Sequence, residues 1–419
     1  MKIKTRGAHK SDNEWIRGWP VIIASGIGYG TGGSMILLLA GLFIKPMRDQ
    51  LGWSTTAVTI SPMITLVWAL FYPFTGAVID RVGSRKVAII GVMGLALSVL
   101  ILAIVPVSQL VLFAVAALIG IFASMSAVPT YSRGIASWFR RDLGLALGVA
   151  LSGSAVVAVF ATPLTGYVIA DHGWQAGFMT ISAIIMFLGA PLIVLFYRER
   201  PGEVATDQAS SEPVTGSSLV EAARDIRFWC YLLSFTCACV ALGGTLAHLQ
   251  PMLADKGLPL AEALSLGVLY ALAMTIGKIA GGFLLDRFWP FAIAAVITGL
   301  AAVGAAGLAS VDMDSPYLLI ALLTSWIGLA QGAEADFIAF FVLRSFGMRK
   351  FSTIVGVLAM VVTLGLTLGA LVYGALYDVA GSYNAASYLG ASCLVAASIL
   401  ILAAGACEIR VKRKQAASS

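Results

Sequence analysis

The chain has 419 residues, of which 59% are hydrophobic and 11% charged, against roughly 25% charged in an ordinary soluble domain. So few charges cannot clothe a water-soluble surface, which excludes a soluble enzyme and leaves the apolar excess to face lipid. The net charge of +6 raises the question of nucleic acid, and the placement of the basic residues answers it with membrane topology instead.

Apolar runs recur along the chain, each close to the roughly 20 residues that a spanning helix needs and each closed by charge, Pro or Gly. They predict helices over 19–44, 54–79, 86–107, 109–137, 143–169 and 175–197, then over 228–253, 262–285, 290–310, 316–342, 352–377 and 384–408. The expected fold is therefore an all-α membrane protein of twelve transmembrane helices in two six-helix bundles, 19–197 and 228–408. A segment 1–18 precedes them, a linker 198–227 joins them, and a tail 409–419 follows. The linker is rich in Ser, Thr, Glu and Asp, a composition that reads as mobile. The first run follows basic residues as a signal peptide would, but it is long, lacks an A-x-A site and has many similar runs after it, so it reads as a true first span.

Lys and Arg mark the cytoplasmic side of a membrane protein. With both termini placed there, every one of the 27 Lys and Arg residues lies on that side except Lys45, Arg48 and Lys256 outside and Lys278 within a helix. This asymmetry explains the basic charge without nucleic acid, and no such partner is expected. The cysteines, Cys230, Cys237, Cys239, Cys393 and Cys407, all sit in apolar runs without a His or second Cys pair nearby, so they read as small buried hydrophobes and no metal is expected. The glycines Gly26, Gly28, Gly30, Gly32 and Gly33 do not form G-x-G-x-x-G after a strand. They suit close helix packing or bending, and no Walker loop or nucleophile–base pair accompanies them.

The two halves echo each other. Gly76-Ala-Val-Ile-Asp80-Arg81-Val-Gly83-Ser-Arg85-Lys86 follows the second helix, and Gly282-Phe-Leu-Leu-Asp286-Arg287-Phe288 follows the eighth. Like-oriented six-helix repeats form a known transporter plan, with substrate held between them at the midplane.

The stretch from Gly76 to Lys86 resembles the signature loop of the major facilitator superfamily. Within that superfamily the chain resembles the monocarboxylate-porter branch, which includes the bacterial oxalate/formate antiporters. That likeness rests on Leu51-Gly-Trp53-Ser54, on Trp138-Phe139-Arg140-Arg141-Asp-Leu-Gly144-Leu-Ala-Leu-Gly148, and on Gly173-Trp174-Gln175-Ala176-Gly-Phe178. The resemblance implies gating by Asp80, Arg81, Arg85, Asp286 and Arg287, with Asp80 capping the N-terminus of the eleventh helix. It implies a bacterial inner membrane. It also places a cation in the eighth helix, four residues before Gly282 and eight before Asp286, where this chain has Lys278 and the branch has Arg. Lys keeps the charge and loses the two-toothed grip on a carboxylate. Leu38, Val362 and Met274 stand where relatives carry further charges, which favours a monoanionic substrate.

Lys278 is eight residues, roughly 12 Å along a helix, from Asp286. A charge at that depth needs a polar cavity or a partner. It is either the anchor of a substrate carboxylate or half of an ion pair with Glu334 or Asp336. Those two acids lie deep in the tenth helix, two residues apart and so on different faces. Protonation of one of them would couple transport to the proton gradient; the alternative is a neutral or paired acid that holds helices together. Further candidates for substrate contact are Tyr29, Tyr131, Arg133, His248, Tyr270 and Gln331, with Trp326 as another aromatic. Arg133 has the alternative role of a gate at the cytoplasmic end, and His248 that of an interfacial residue. The expected activity is proton-coupled symport of a small organic monocarboxylate by a monomer that uses no cofactor besides the proton gradient. Exchange of organic anions is the alternative, and a non-transporting sensor or a drug exporter fits less well.

Overall fold

The computed structural model describes residues 14–106, 108–200, 216–312 and 314–418. Lys2, Lys4, Arg6, Lys10 and the linker stretch 201–215 lie outside the described residues. Among the described residues, eleven helical stretches are long and apolar enough to cross a membrane. One of them, Leu143–Phe196, has 54 residues and contains a break at Gly173, where φ is 84° and ψ 171°. This conformation is open to glycine and strained for other residues. It divides the stretch into two crossings, so the described residues span twelve times.

The first half comprises Glu14–Leu51, Ser61–Val82, Ser84–Ile104, Gln109–Trp138, 143–172 and 174–196. The second comprises Ile226–Asp255, Leu260–Arg287, Pro290–Ser310, Tyr317–Phe346, Phe351–Ala380 and Asn384–Arg410. The first two crossings differ most from the sequence expectation. The first crossing is longer than 19–44 at both ends. The second begins at Ser61 and not at 54, because Ser54 caps a separate one-turn helix, Thr55–Val58, by accepting the Ala57 amide at 3.2 Å. Pro62 then opens the crossing itself, at a position where its missing N–H is no loss.

The halves differ in continuity. The first crossing is interrupted at Thr31 and Gly32, the fourth at Ser126 and Ala127, and the fifth at Ser152, while the sixth contains a π-helical turn, Ile185–Gly189. The crossings of the second half each run as single helices. The interruptions meet at one level: a Cβ on Gly32 would press on the Ser126 carbonyl, one on Gly30 on Gly153, and one on Gly189 on Thr31. Small residues let these backbones approach where lipid supplies no hydrophobic drive to pack.

The two halves pack through the second crossing against the eleventh and the fifth against the eighth. At both places glycine meets backbone. Gly76 lies on Ser352, Gly356 on Tyr72, and Gly144 and Gly282 on each other.

Candidate functional site

The second crossing ends at Val82 and the eleventh begins at Phe351, so Asp80 in the last turn of one faces the unsatisfied amides of the other. Asp80 Oδ1 accepts the Ser352 amide at 3.0 Å. Its Oδ2 accepts the Thr353 amide at 2.8 Å and the Thr353 hydroxyl at 2.6 Å. A carboxylate is favoured there by the helix dipole as well as by these bonds. Arg133 Nη1 donates to Asp80 Oδ1 at 2.6 Å, and its Nε lies 3.6 Å from Glu199. Glu199 in turn accepts the Ser84 amide. The related position of the second half repeats the device: Asp286 accepts the amides of Gly144 at 2.9 Å and Leu145 at 2.8 Å, at the start of the fifth crossing. Arg287 lies 3.7 Å from Asp142 and over the ring of Phe283. Arg85 Nη2 donates to the Val194 carbonyl at 2.7 Å, and Arg81 is exposed. The contacts of Asp80 with the eleventh crossing, of Asp286 with the fifth and of Arg287 with Asp142 clamp the halves together at the end that carries Asp80 and Asp286, hereafter the basic end, whereas Arg85 and Glu199 bond within the first half.

Above the clamp lies a cavity of about 290 Å³ between the halves. Its lining on the second crossing runs from Tyr72 through Trp68 to Thr65, and on the eleventh from Ala359 to Thr367. Both tracks lead away from the basic end, so the cavity extends from mid-depth toward the opposite face. Lys278, Tyr29, Gln331 and Glu334 line it.

Lys278 is the one basic side chain in that lining. It is buried, and its Nζ makes two long contacts to the opposite half, to the Leu151 carbonyl at 3.4 Å and the Ser154 hydroxyl at 3.5 Å. Leu151 adjoins the interruption at Ser152, where the helix leaves carbonyls short of partners. Contacts of that length are weak, which leaves the ammonium able to accept an anion. The two acids separate as their spacing requires. Glu334 lines the cavity and receives the Cys239 thiol at 2.6 Å. Asp336 is buried and outside that lining, and neither of its carboxyl oxygens finds a hydrogen-bond donor among the described residues. Asp336 nevertheless attracts Lys278 electrostatically.

Several sequence candidates are occupied elsewhere. Arg133 is not on the cavity wall: Asp80 and Glu199 take its guanidinium, so its place is the clamp and not the anion site. Tyr131 is buried under Gly28 and bonds Ser126 at 2.8 Å. Tyr270 stands one step behind the wall and donates to Gln331 Oε1 at 3.4 Å. His248 ties the seventh crossing to the eleventh through the Ala370 carbonyl at 2.9 Å, and to Tyr383, just before the twelfth, at 3.1 Å. Trp326 packs on apolar residues of the second half. Conversely, sequence reasoning passed over Trp68, Tyr72, Thr363 and Thr367 on the wall and Glu199 in the clamp. Glu199 sits between Arg198 and Arg200 in a stretch read only for topology, although an acid among basic residues at a helix end is a signal for pairing.

A twelve-helix membrane protein clamped at one end, with a polar-edged cavity between its halves, has the architecture of an alternating-access transporter. The family model of the Major Facilitator Superfamily matches residues 19–370, and the chain belongs to that superfamily of membrane transporters. It is 28% identical over 271 residues to monocarboxylate transporter 13 of Bos taurus, a match covering 64% of this chain and 61% of the bovine protein's length. It is 22% identical over 437 residues to monocarboxylate transporter 2 of Rattus norvegicus, covering 96% of this chain and 86% of the rat protein. Among solved structures it resembles the superfamily transporter FucP in its outward conformation, with TM-score 0.73 and 14% identity over 94% of this chain and 99% of that one.

Proposed function

We propose that this transporter carries a small organic monocarboxylate together with a proton, as a monomer in a bacterial inner membrane with both termini in the cytoplasm. The observation that carries the reading is Lys278 and Glu334 on the wall of one cavity between clamped halves. A single buried cation with weak hydrogen-bond partners matches one carboxylate, and a second anionic group on the substrate would remain uncompensated in a low dielectric. Glu334 is the acid that a proton arriving through the cavity reaches, whereas Asp336 lies outside its lining. Neutralising an acid beside the bound ion pair lowers the cost of closing the cavity away from water. The proton gradient is the only energy source the proposal needs, and no cofactor takes part.

The test is uptake of a radiolabelled monocarboxylate into proteoliposomes under an imposed pH gradient. Uptake is expected to rise with the gradient, Lys278→Ala to abolish it, and Glu334→Gln to remove the gradient's effect while sparing exchange. Uptake by the unaltered chain that ignores the gradient, with rapid counterflow, overturns the coupling in favour of anion exchange.

A further inference from the structure

We infer that the substrate is a monocarboxylate bearing an aromatic ring, with Trp68 as the residue that selects it. The inference rests on the carboxylate role of Lys278 proposed above and narrows it.

Lys278 accounts for one end of the substrate. The rest of the cavity specifies the body. Trp68 and Tyr72, one turn apart on the second crossing, set their rings 6.0 Å apart and tilted by 43°. With Tyr29 they make up three of the six residues that the first half gives to the wall, beside Leu37, Thr65 and Val128. Trp68 is 7% exposed, and a Cβ on Gly33 would come within 3.0 Å of its ring, so the indole is held in place by a position that has no side chain. Buried indole N–H groups ordinarily find an acceptor. The Nε1 of Trp68 is buried, with the Tyr72 hydroxyl as its polar neighbour. Packing alone accounts for a tryptophan in a membrane helix; it does not account for two adjoining rings on the wall of a cavity that also holds the Lys278 side chain.

The facing wall adds no second cation. Val362 and Leu366 are apolar, and the hydroxyls of Thr363 and Thr367 donate to the carbonyls of Ala359 and Thr363 at 2.9 and 3.1 Å. The volume, about 290 Å³, stands near the lower edge of the roughly 300–1,000 Å³ typical of pockets for small organic ligands. A three-carbon hydroxy acid would engage Lys278 and leave the rings of Trp68, Tyr72 and Tyr29 without a partner. A ring carrying a carboxylate, as in phenylpyruvate, meets both the cation and the aromatic rings.

The experiment is calorimetric titration of the purified full chain with lactate, phenylpyruvate and benzyl alcohol, on the unaltered protein and on Lys278→Ala, Trp68→Phe and Trp68→Ala. Thermal unfolding of each variant verifies its fold, and the Phe variant, which keeps a smaller ring, serves if the Ala variant does not fold. Phenylpyruvate is expected to bind at least about tenfold more tightly than lactate. Trp68→Ala is expected to erase that preference, and Trp68→Phe to reduce it. Lactate binding as tightly as phenylpyruvate, in a Lys278-dependent manner, overturns the aromatic inference and leaves the carboxylate reading standing. Benzyl alcohol binding as tightly as the acids, unaffected by Lys278→Ala, overturns the carboxylate reading and this inference with it.

Discussion

Asp80 holds Thr353 by both its amide, at 2.8 Å, and its hydroxyl, at 2.6 Å, and so joins the last turn of the second crossing to the first turn of the eleventh. One carboxylate thereby satisfies donors that a helix N-terminus leaves open, across the boundary between the two halves. The same carboxylate neutralises Arg133, whose side chain is only 2% exposed. A clamp built this way is strong while the halves touch and has no strength once they part, which is the behaviour a gate needs.

Asp80→Ala removes the acceptor and strands the Arg133 guanidinium in a buried site, and breaking a buried pair in this way costs about 3–5 kcal/mol. Asp80→Ala with Arg133→Ala is expected to recover part of that loss, with a coupling energy of about 0.5–3 kcal/mol. Thermal unfolding of the two single variants and the double variant in detergent measures both quantities. Strictly additive losses would mean that Asp80 and Arg133 act independently despite the 2.6 Å contact.

Gly173 is the position where the fifth crossing gives way to the sixth, at φ 84° and ψ 171°. Gly173→Ala is expected to destabilise the protein by about 1–3 kcal/mol through backbone strain. Gly166, in the helix just before it, has open space where a Cβ would go, and Gly166→Ala is expected to stabilise by about 0.5–1 kcal/mol. Melting curves of the two variants should therefore move in opposite directions.

The helix Leu219–Arg224 at the end of the linker begins with a capping box, in which the Ser218 amide and hydroxyl engage Glu221. The Ser218 amide, followed by its hydroxyl, holds the Glu221 carboxyl below its ordinary value of 4.5. Because the folded form binds the proton less readily than the unfolded one, the contribution is fully present above that ordinary value and fades as the pH falls below it. Hydrogen exchange of the 219–224 amides is expected to quicken, after correction for intrinsic rates, as the pH drops beneath about 4.5. Glu221→Gln should make the corrected protection nearly independent of pH in that range.

The twelve crossings were legible because lipid demands apolar length and loops carry the charge. The depth of Lys278 was legible from its eight-residue distance to Asp286. The engagement of Arg133 was not: its approach to Asp80 is a tertiary contact over 53 positions, and an Arg near a helix end carries the same local signature whether it binds substrate or another helix. Trp68 and Tyr72 escaped notice for a related reason, since aromatic residues are common throughout membrane helices and only a cavity distinguishes a wall from packing. The early start assigned to the second crossing came from reading 54–60 by polarity, where the Ser54 cap and Pro62 enforce a turn and a restart.

The glycines between the halves give the last prediction. Gly144 and Gly282 meet backbone to backbone, as Gly76 does with Ser352, and a Cβ at any of these positions would collide with a carbonyl oxygen of the other half. Both contacts lie on the basic side of the cavity, so a methyl group there opposes the clamped state and leaves the state with that end open without strain. Gly144→Ala should therefore shift the population toward opening at the basic end. Spin labels at Lys86 and Arg349, both exposed there, should report a longer mean separation by pulsed electron resonance. If the clamped population falls to a tenth, apparent affinity for substrate supplied to the cavity falls about tenfold. Gly41→Ala, where a Cβ meets nothing within 4 Å, should change neither distance nor affinity. Unaltered label distances in Gly144→Ala would show that the halves absorb the extra carbon without parting, and that these glycines do not set the balance between the two states.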